Sequence, residues 1–564
     1  MKKIISMKKT IILLLAIVLT SNYGEAQDKM YVCKNGVVVL ERDVSLVDSI
    51  TFTIPPFYLA EKLATNVNSM LTSIGTQFCV FGATTSRDDD AGYPTVCLSQ
   101  DLNGPDMVSD ISAYNWFSTS SQYSDRSYTY ANPYMRWAVF YNQIKLANDI
   151  LLAIPDDKGN STLKTYKAQA RAARAFDYLS LVPYYQFKYK GNEDKLSVPI
   201  VTENMTTDPS NNPRATLRAV YKLIMDDLNS AIVDLEGYTR SNKAQIDQKV
   251  AYGLRARANL YMENWSQAAA DADKAMVGYT PYSKAQVSQP AFISANDQNW
   301  MWAIILTPTE ITDAYPSWPS VLGSFSGDSY SASAGCYKSI NSLLFAKIPS
   351  TDVRKGWWVD DKLHSNNLAN VSWGGVTGDA ISTLTLSDVK LPFIPYTNVK
   401  FSQYGGIGNN QNAGDWCMMR VEEMILIKAE ATAMAGNLQD GKDILKNFVT
   451  TYRDPSYVVS TATDANSFQN DVWLQRRIEL WGEGFSMSDI MRLGKNIVRF
   501  KSSSTTNFPN NFKFNIAAND GYLLLRIPQK EMDKNAGIPL SANNNEGTQP
   551  KPDDGGTFKD GVTD

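Results

Sequence analysis

Residues 476–495 place charge inside an apolar helical pattern. Arg476, Arg477, Glu479, Glu483, Asp489 and Arg492 are interleaved with Ile478, Leu480, Trp481, Phe485, Ile490 and Met491, and Gly482, Gly484 and Gly494 interrupt the pattern. Charges on such a stripe are costly unless each finds a partner. The stretch therefore requires neighbouring helices that answer it. Arg476 lies three residues from Glu479 and Arg492 three from Asp489, so pairing along a helix surface is also available. A glycosidase would need two carboxyl groups facing each other across an open cleft. The charges are read as structural.

Helical periodicity recurs upstream, at 57–74, 134–154, 162–185, 214–235, 247–263 and 265–277. The helix at 162–185 is rich in small residues (Ala168, Ala170, Ala172, Ala173, Ala175), which let a neighbouring helix approach closely. The pair at 247–277 has tetratricopeptide-like offsets: Tyr252 and Ala256, a turn at Asn264 and Trp265, then Ala268 and Ala275. A second such pair lies at 420–449, with Ala429 as the small residue and a turn at Gly436, Asn437 and Leu438. About 150 residues separate the two units, so the chain is no regular array. Residues 280–415 read as a Gly/Ser/Asn-rich insertion with strand-like pieces at 300–306 and 391–395. The expected fold is all-α: a tetratricopeptide-like right-handed helical scaffold with a large loop-rich insertion and a short N-terminal β-hairpin.

Lys8 and Lys9 precede an apolar run at 11–19, followed by Gly24 and Ala26. The run is too short to span a bilayer but suits a signal peptide, so 1–26 is read as an export signal. Cys33 lies too far downstream, behind Tyr31 and Val32, to be a lipoprotein cysteine. Residues 27–56 form the hairpin segment, with Asn35 and Gly36 as its turn between β-branched runs. The polar, acidic stretch 546–564 reads as a disordered tail. The net charge of −4 and the lack of a basic block beyond the N-terminus exclude a nucleic-acid binder. One histidine, His364, excludes His-cluster metal sites and reads as a surface loop residue. Five cysteines without a Cys-x-x-Cys pair cannot all be bridged and read mostly as buried small hydrophobes; a Cys79–Cys97 bridge stays open, without support from spacing alone.

Several segments, taken in order, resemble the SusD/RagB family of outer-membrane nutrient-binding proteins. Trp137, Tyr141, Asn142, Ala147 and Asn148 are similar to the family's early aromatic-Asn helix. Arg171, Arg174, Phe176 and Tyr178 resemble its Ala/Arg-rich helix, followed by Val198 and Pro199. Asp352 with Arg354, Arg420 with Glu422 and Glu423, the 476–495 stretch, and Ile527, Pro528 and Glu531 continue the series, which covers 57–545. The resemblance implies a non-enzymatic, surface-exposed protein of a Gram-negative outer membrane. It implies capture of an oligosaccharide or polysaccharide and delivery to a SusC-like TonB-dependent transporter. Without a lipobox cysteine, membrane association would run through that partner or an unrecognised anchor. An all-α carbohydrate-active enzyme and a protein-binding surface scaffold are the alternatives.

Sugar binding uses aromatic faces against pyranose C–H faces, with Asn, Asp and Arg on the hydroxyls. The candidates are therefore aromatics in polar loops: Tyr114, Asn115 and Trp116; Arg87 and Asp88; and Tyr315 and Trp318, the latter between Ser317 and Pro319. No cofactor is expected. Asp88, Asp89 and Asp90, and Asp101, Asn103 and Asp106, offer oxygens of the kind Ca²⁺ takes, but neither run matches an EF-hand, and solvated turns are the simpler reading.

Overall fold

The structure is a computed structural model that describes residues 29–34, 37–46, 56–78, 84–111, 115–154, 159–306 and 316–564. The chain divides into two units, Met1–Leu63 and Ala64–Asp564. In the first, β1 (Lys29–Lys34) and β2 (Val37–Asp43) pair antiparallel from Lys29↔Asp43 to Lys34↔Val37. The register shifts between Val32 and Cys33, so Val39 is the extra residue of a bulge. The expected turn at Asn35 and Gly36 and the export signal at 1–26 lie outside the described residues.

Helix α1 (Pro56–Gln77) spans the division. The second unit continues with α2 (Tyr93–Asn103), α3 (Ala131–Ala153), α4 (Ser161–Tyr185), α5 (Leu217–Asp234), α6 (Gln248–Tyr261) and α7 (Trp265–Ala275). After the insertion come α8 (Val421–Met434), α9 (Leu438–Tyr452), α10 (Ala465–Glu479) and α11 (Ser486–Leu493). Side-chain caps set several starts. Asn160 accepts from Leu163 N, Thr216 from Ala219 N, Asp247 from Val250 N and Asp464 from Ser467 N. Gly494 ends α11 in the left-handed region, at φ 61°.

Helices α3 to α7 pack in sequence order, and α8 then packs on α7 as the next member of the stack, with α9 and α10 against it. The scaffold is thus continuous in space although the chain leaves it for well over a hundred residues. A two-stranded ladder closes the excursion: β3 (Trp300–Ile304) pairs antiparallel with β4 (Trp416–Arg420), which runs straight into α8. The alanines of α4 are buried, as are Ala268, Ala272 and Ala275 of α7 and Ala429 and Ala433 of α8. At Gly441 of α9 a Cβ would come within 2.7 Å of Ala429 O and Ala433 Cβ, so a side chain there would push the pair apart.

Arginine pairs pin the seams between helices. Arg174 of α4 grips Asp227 of α5 at 2.7 Å, Arg255 of α6 grips Asp271 of α7 at 2.7 Å, and Arg257 of α6 grips Glu423 of α8 at 2.8 Å. The 476–495 stretch works the same way, mostly across elements and in the interior. Arg476 holds Asp489 at 2.7 Å, and Arg492 reaches both Asp489 at 2.7 Å and Glu430 of α8 at 2.6 Å. Glu479 takes Arg354, Arg420 and Arg453 instead of Arg476. Surface pairing along one helix is therefore corrected to buried pairing between elements, with Asp489–Arg492 the intrahelical exception.

The insertion has its own core, built from Phe325, Tyr337, Val359, Trp373, Phe393 and Val399 among others. The strand expected at 300–306 is β3, whereas 391–395 is irregular. The tail at 546–564, expected to be disordered, folds back. Asp560 is buried, accepts from Val562 N, Thr563 N and Thr563 Oγ1, and pairs with Arg477 at 2.8 Å. A buried guanidinium that needs a second carboxylate supplies the anchor that polar composition alone did not suggest. Cys97 is an unbridged buried thiol, and Cys79 lies outside the described residues. His364 is exposed and paired with Asp379.

Candidate functional site

Two loops between α1 and α3 converge on Arg87. In the first, Asp90 accepts from Thr84 N at 3.0 Å, Thr85 N at 2.5 Å and both threonine hydroxyls, which tightens 84–90 into a turn. Asp89 accepts from Arg87 Nε at 2.8 Å and Nη2 at 3.0 Å, and that hydrogen bond raises the Arg87 pKa. The guanidinium lies over the Trp116 ring, 5.8 Å from its centre.

The second loop is set by Asn115. Its amide nitrogen donates to Ser109 Oγ at 3.0 Å and Asp110 O at 2.6 Å, and its Oδ1 accepts from Phe117 N at 3.2 Å. Asn115 and Phe117 are buried, which leaves Trp116 between them 36% exposed. Asn115 is thus the organiser of the loop, a correction to its expected contact with ligand.

Beside Arg87 is an open cleft of about 260 Å³, lined also by Thr119, Ser124, Asp125, Tyr130, Ala131 and Asn132. Tyr130 is 50% exposed. Asn132 donates to Asp125 Oδ2 at 2.5 Å and to Ser120 Oγ at 3.0 Å. Thr119 Oγ1, Asp125 Oδ1 and Asn132 Oδ1 take no hydrogen bond from the protein. A wall with one exposed aromatic ring, Tyr130, the Arg87 guanidinium and polar side chains can hold a polyhydroxylated ligand by stacking and hydrogen bonding.

Asp88 links this region to the insertion by accepting a hydrogen bond from the Tyr330 hydroxyl. Tyr330 is in turn held by Ser320 Oγ on its backbone N–H at 3.1 Å. Trp318, two residues before Ser320, is a core residue. It is 4% exposed, donates from Nε1 to Gly414 O at 2.8 Å, and packs edge-on against Phe401 and Trp416. Its expected role as a ligand platform is corrected: the ring is enclosed by residues remote in sequence. Tyr114 and Tyr315 lie outside the described residues. The acidic runs have protein donors, since Asp101 accepts from Gly484 N at 2.9 Å and Asp106 pairs with Arg477 at 2.6 Å.

Of the residues expected from the sequence, Arg87, Asp88 and Trp116 lie in this region, beside Tyr130, Asp125 and Asn132, which the sequence did not single out. The last three fall in a Ser/Tyr-rich stretch at 118–132, where nothing local distinguishes an outward tyrosine from an inward one such as Tyr123.

The family model described as "SusD family" matches residues 257–547, and one described as "Starch-binding associating with outer membrane" matches residues 84–260. No curated protein matches in sequence. Among solved structures, a SusD-like carbohydrate binding protein from Bacteroides vulgatus superposes with a TM-score of 0.69 at 22% identity, over 86% of this chain and 98% of its own. A SusD superfamily protein from Bacteroides thetaiotaomicron gives 0.65 at 18% identity, over 86% and 99%. One from Bacteroides fragilis gives 0.61 at 20% identity, over 84% and 98%. At these identities the likeness is one of fold.

Proposed function

This chain belongs to the SusD/RagB family, and from that premise we propose that it captures oligosaccharides at the outer membrane and passes them, uncleaved, to a TonB-dependent transporter. The observation that carries the binding step is the cleft lined by Arg87 and exposed Tyr130, with the half-buried Trp116 ring on the other side of the guanidinium. Family membership supports the saccharide class and the outer-membrane setting. The carboxylates of the 476–495 stretch support a binding role over hydrolysis, because Glu479, Glu483 and Asp489 are buried and committed to Arg or Lys. A general acid and a nucleophile need open access to the glycosidic bond.

Calorimetric titration of residues 27–564 with a panel of oligosaccharides, together with product analysis, tests the reading. The expected result is saturable binding with no shortened products. Trp116→Ala and Tyr130→Ala should each weaken it about tenfold, the equivalent of about 1.4 kcal/mol. Release of shorter sugars would overturn the non-enzymatic reading. Unchanged affinity in both variants, with circular dichroism confirming the fold, would move the site elsewhere.

A further inference from the structure

Deeply buried arginines in this protein are characteristically either neutralised by a carboxylate or surrounded by carbonyls. Arg174, Arg257, Arg354, Arg420 and Arg477 belong to the first group. Arg499 belongs to the second, donating to the carbonyls of Leu102, Asn103, Gly104, Ser121 and Phe512. Arg126, Arg136 and Arg526 fall in neither group; Arg136 donates to Ser99 Oγ, whereas the other two lie together with N–H groups that have no partner. Arg526 is 1% exposed and donates from Nη1 to Leu524 O at 2.5 Å, while its Nε and Nη2 have no partner. Arg126 is 3% exposed and donates from Nη1 to Leu523 O at 3.3 Å, while its Nη2 has none. Neither makes an ion pair among the described residues. The two guanidiniums serve adjacent carbonyls of one backbone segment, and each lies over a tyrosine, Arg126 over Tyr123 and Arg526 over Tyr522. Those tyrosines stack on each other with centres 6.3 Å apart. Burial, with the charge of Arg126 added, pushes the Arg526 pKa down to about 10.

Arg526 lies just beneath the surface of a second cleft, of about 470 Å³, whose wall includes Tyr128, Ser541, Asn545 and Glu546. Ring faces and water can compensate the N–H groups of a guanidinium in part, but they do not neutralise its charge. A planar donor fork in a low-dielectric wall matches the oxygens of an anion. We propose that this cleft accepts an anionic substituent of a saccharide, a carboxylate or a sulfate ester, with Arg526 as the direct donor and Arg126 as the supporting charge behind it. The amide and hydroxyl groups of Asn545 and Ser541 suit the neighbouring sugar hydroxyls. Glu546 is exposed at the rim and opposes an incoming anion without pairing with Arg526. The proposal rests on the glycan-binding reading and deepens it, since the ligand is then an acidic or sulfated glycan.

The test is calorimetric titration of the full mature chain with two matched pairs: an oligogalacturonate against its carboxyl-reduced form, and a sulfated galactan oligosaccharide against its desulfated form. At least one charged member should bind more tightly than its neutral partner, and the pair that shows the preference identifies the anion. Arg526→Gln should lose about 10- to 100-fold in affinity for that charged ligand and leave the neutral one unchanged. Glu546→Gln, an exposed change that does not depend on core packing, should bind the charged ligand more tightly. Equal affinity within both pairs overturns the anion site and leaves the glycan reading standing. So does a charge preference that neither variant alters. Failure of every saccharide to bind overturns both.

Discussion

Asp177 lies in the middle of α4, fully buried, and neither of its carboxyl oxygens has a hydrogen-bond partner. Burial alone pushes its pKa well above the usual carboxylate range. In the window above that range the native state holds a proton that the unfolded chain has lost, so stability falls as pH rises. Asp101, pushed up to about 7 chiefly by burial, has the same sign. Glu479, Glu483 and Asp489 have the opposite one. Their arginine and lysine partners depress them, so the stability they contribute is lost only on acidification below the ordinary carboxylate range. Asp177→Asn removes one descending contribution. Urea unfolding from pH 5 to 8 should show the variant gaining on the wild type by up to about 1.4 kcal/mol per pH unit. Parallel profiles would mean that Asp177 is not protonated in the native protein. At this scale the sequence was least informative. Arg87 and Trp116 were visible as a cation and a ring in polar loops, but Trp318 carried the same local signature and is buried by Gly414, Phe401 and Trp416. Inward and outward tryptophans differ in distant partners, which no local pattern encodes.

Elements were far more legible, because helical periodicity and small-residue spacing are local properties of the chain. The pairs α6–α7 and α8–α9 formed where Tyr252, Ala256, Ala268 and Ala429 implied them. The β3–β4 ladder was only half visible: the apolar run at 300–306 showed as a strand, but its partner follows after more than a hundred residues. The corner between α10 and α11 is likewise non-local. Gly484 has φ +85°, and a Cβ there would lie 2.5 Å from Cys97 Cβ and 2.6 Å from its Sγ, in α2. Gly436, in the α8–α9 turn, has φ +104° with nothing within 4 Å. Gly436→Ala should therefore meet backbone strain alone, about 1 kcal/mol. Gly484→Ala adds a steric conflict with a buried helix and should cost about 2–4 kcal/mol. Chemical denaturation of both variants separates the two effects, and a Gly436→Ala cost equal to that of Gly484→Ala would refute the close approach of α2 to the corner.

For the helical body as a whole, the insertion must move with the scaffold if Asp88 and Tyr330 are to stay joined across it. Four cations, Arg354, Lys400, Arg420 and Arg453, share four carboxylates, Asp352, Glu422, Glu479 and Glu483, all buried. Glu479 is the hub. Its Oε2 accepts from Arg354 at 3.0 Å and Arg453 at 2.7 Å, and its Oε1 accepts from Arg420 and Arg453 at 2.7 Å each. Arg354 and Lys400 come from the insertion, Arg420 from the end of β4, Arg453 from the end of α9 and Glu479 from the end of α10. The network therefore joins the excursion to both late helix pairs at one point, in a medium where removing one charge leaves the rest uncompensated. Glu479→Ala should cost about 3–5 kcal/mol, the range for breaking a buried pair. The loss should also be uneven. Helices α4 to α7 are pinned by Arg174, Arg255 and their own partners, whereas 339–399 has Glu479 as a principal tie to the scaffold. Hydrogen exchange on the variant should show amides of 339–399 opening at lower free energy than those of α4 to α7. Uniform acceleration across both regions would mean that the insertion and the scaffold open as one cooperative unit, with no separate dependence of 339–399 on the hub.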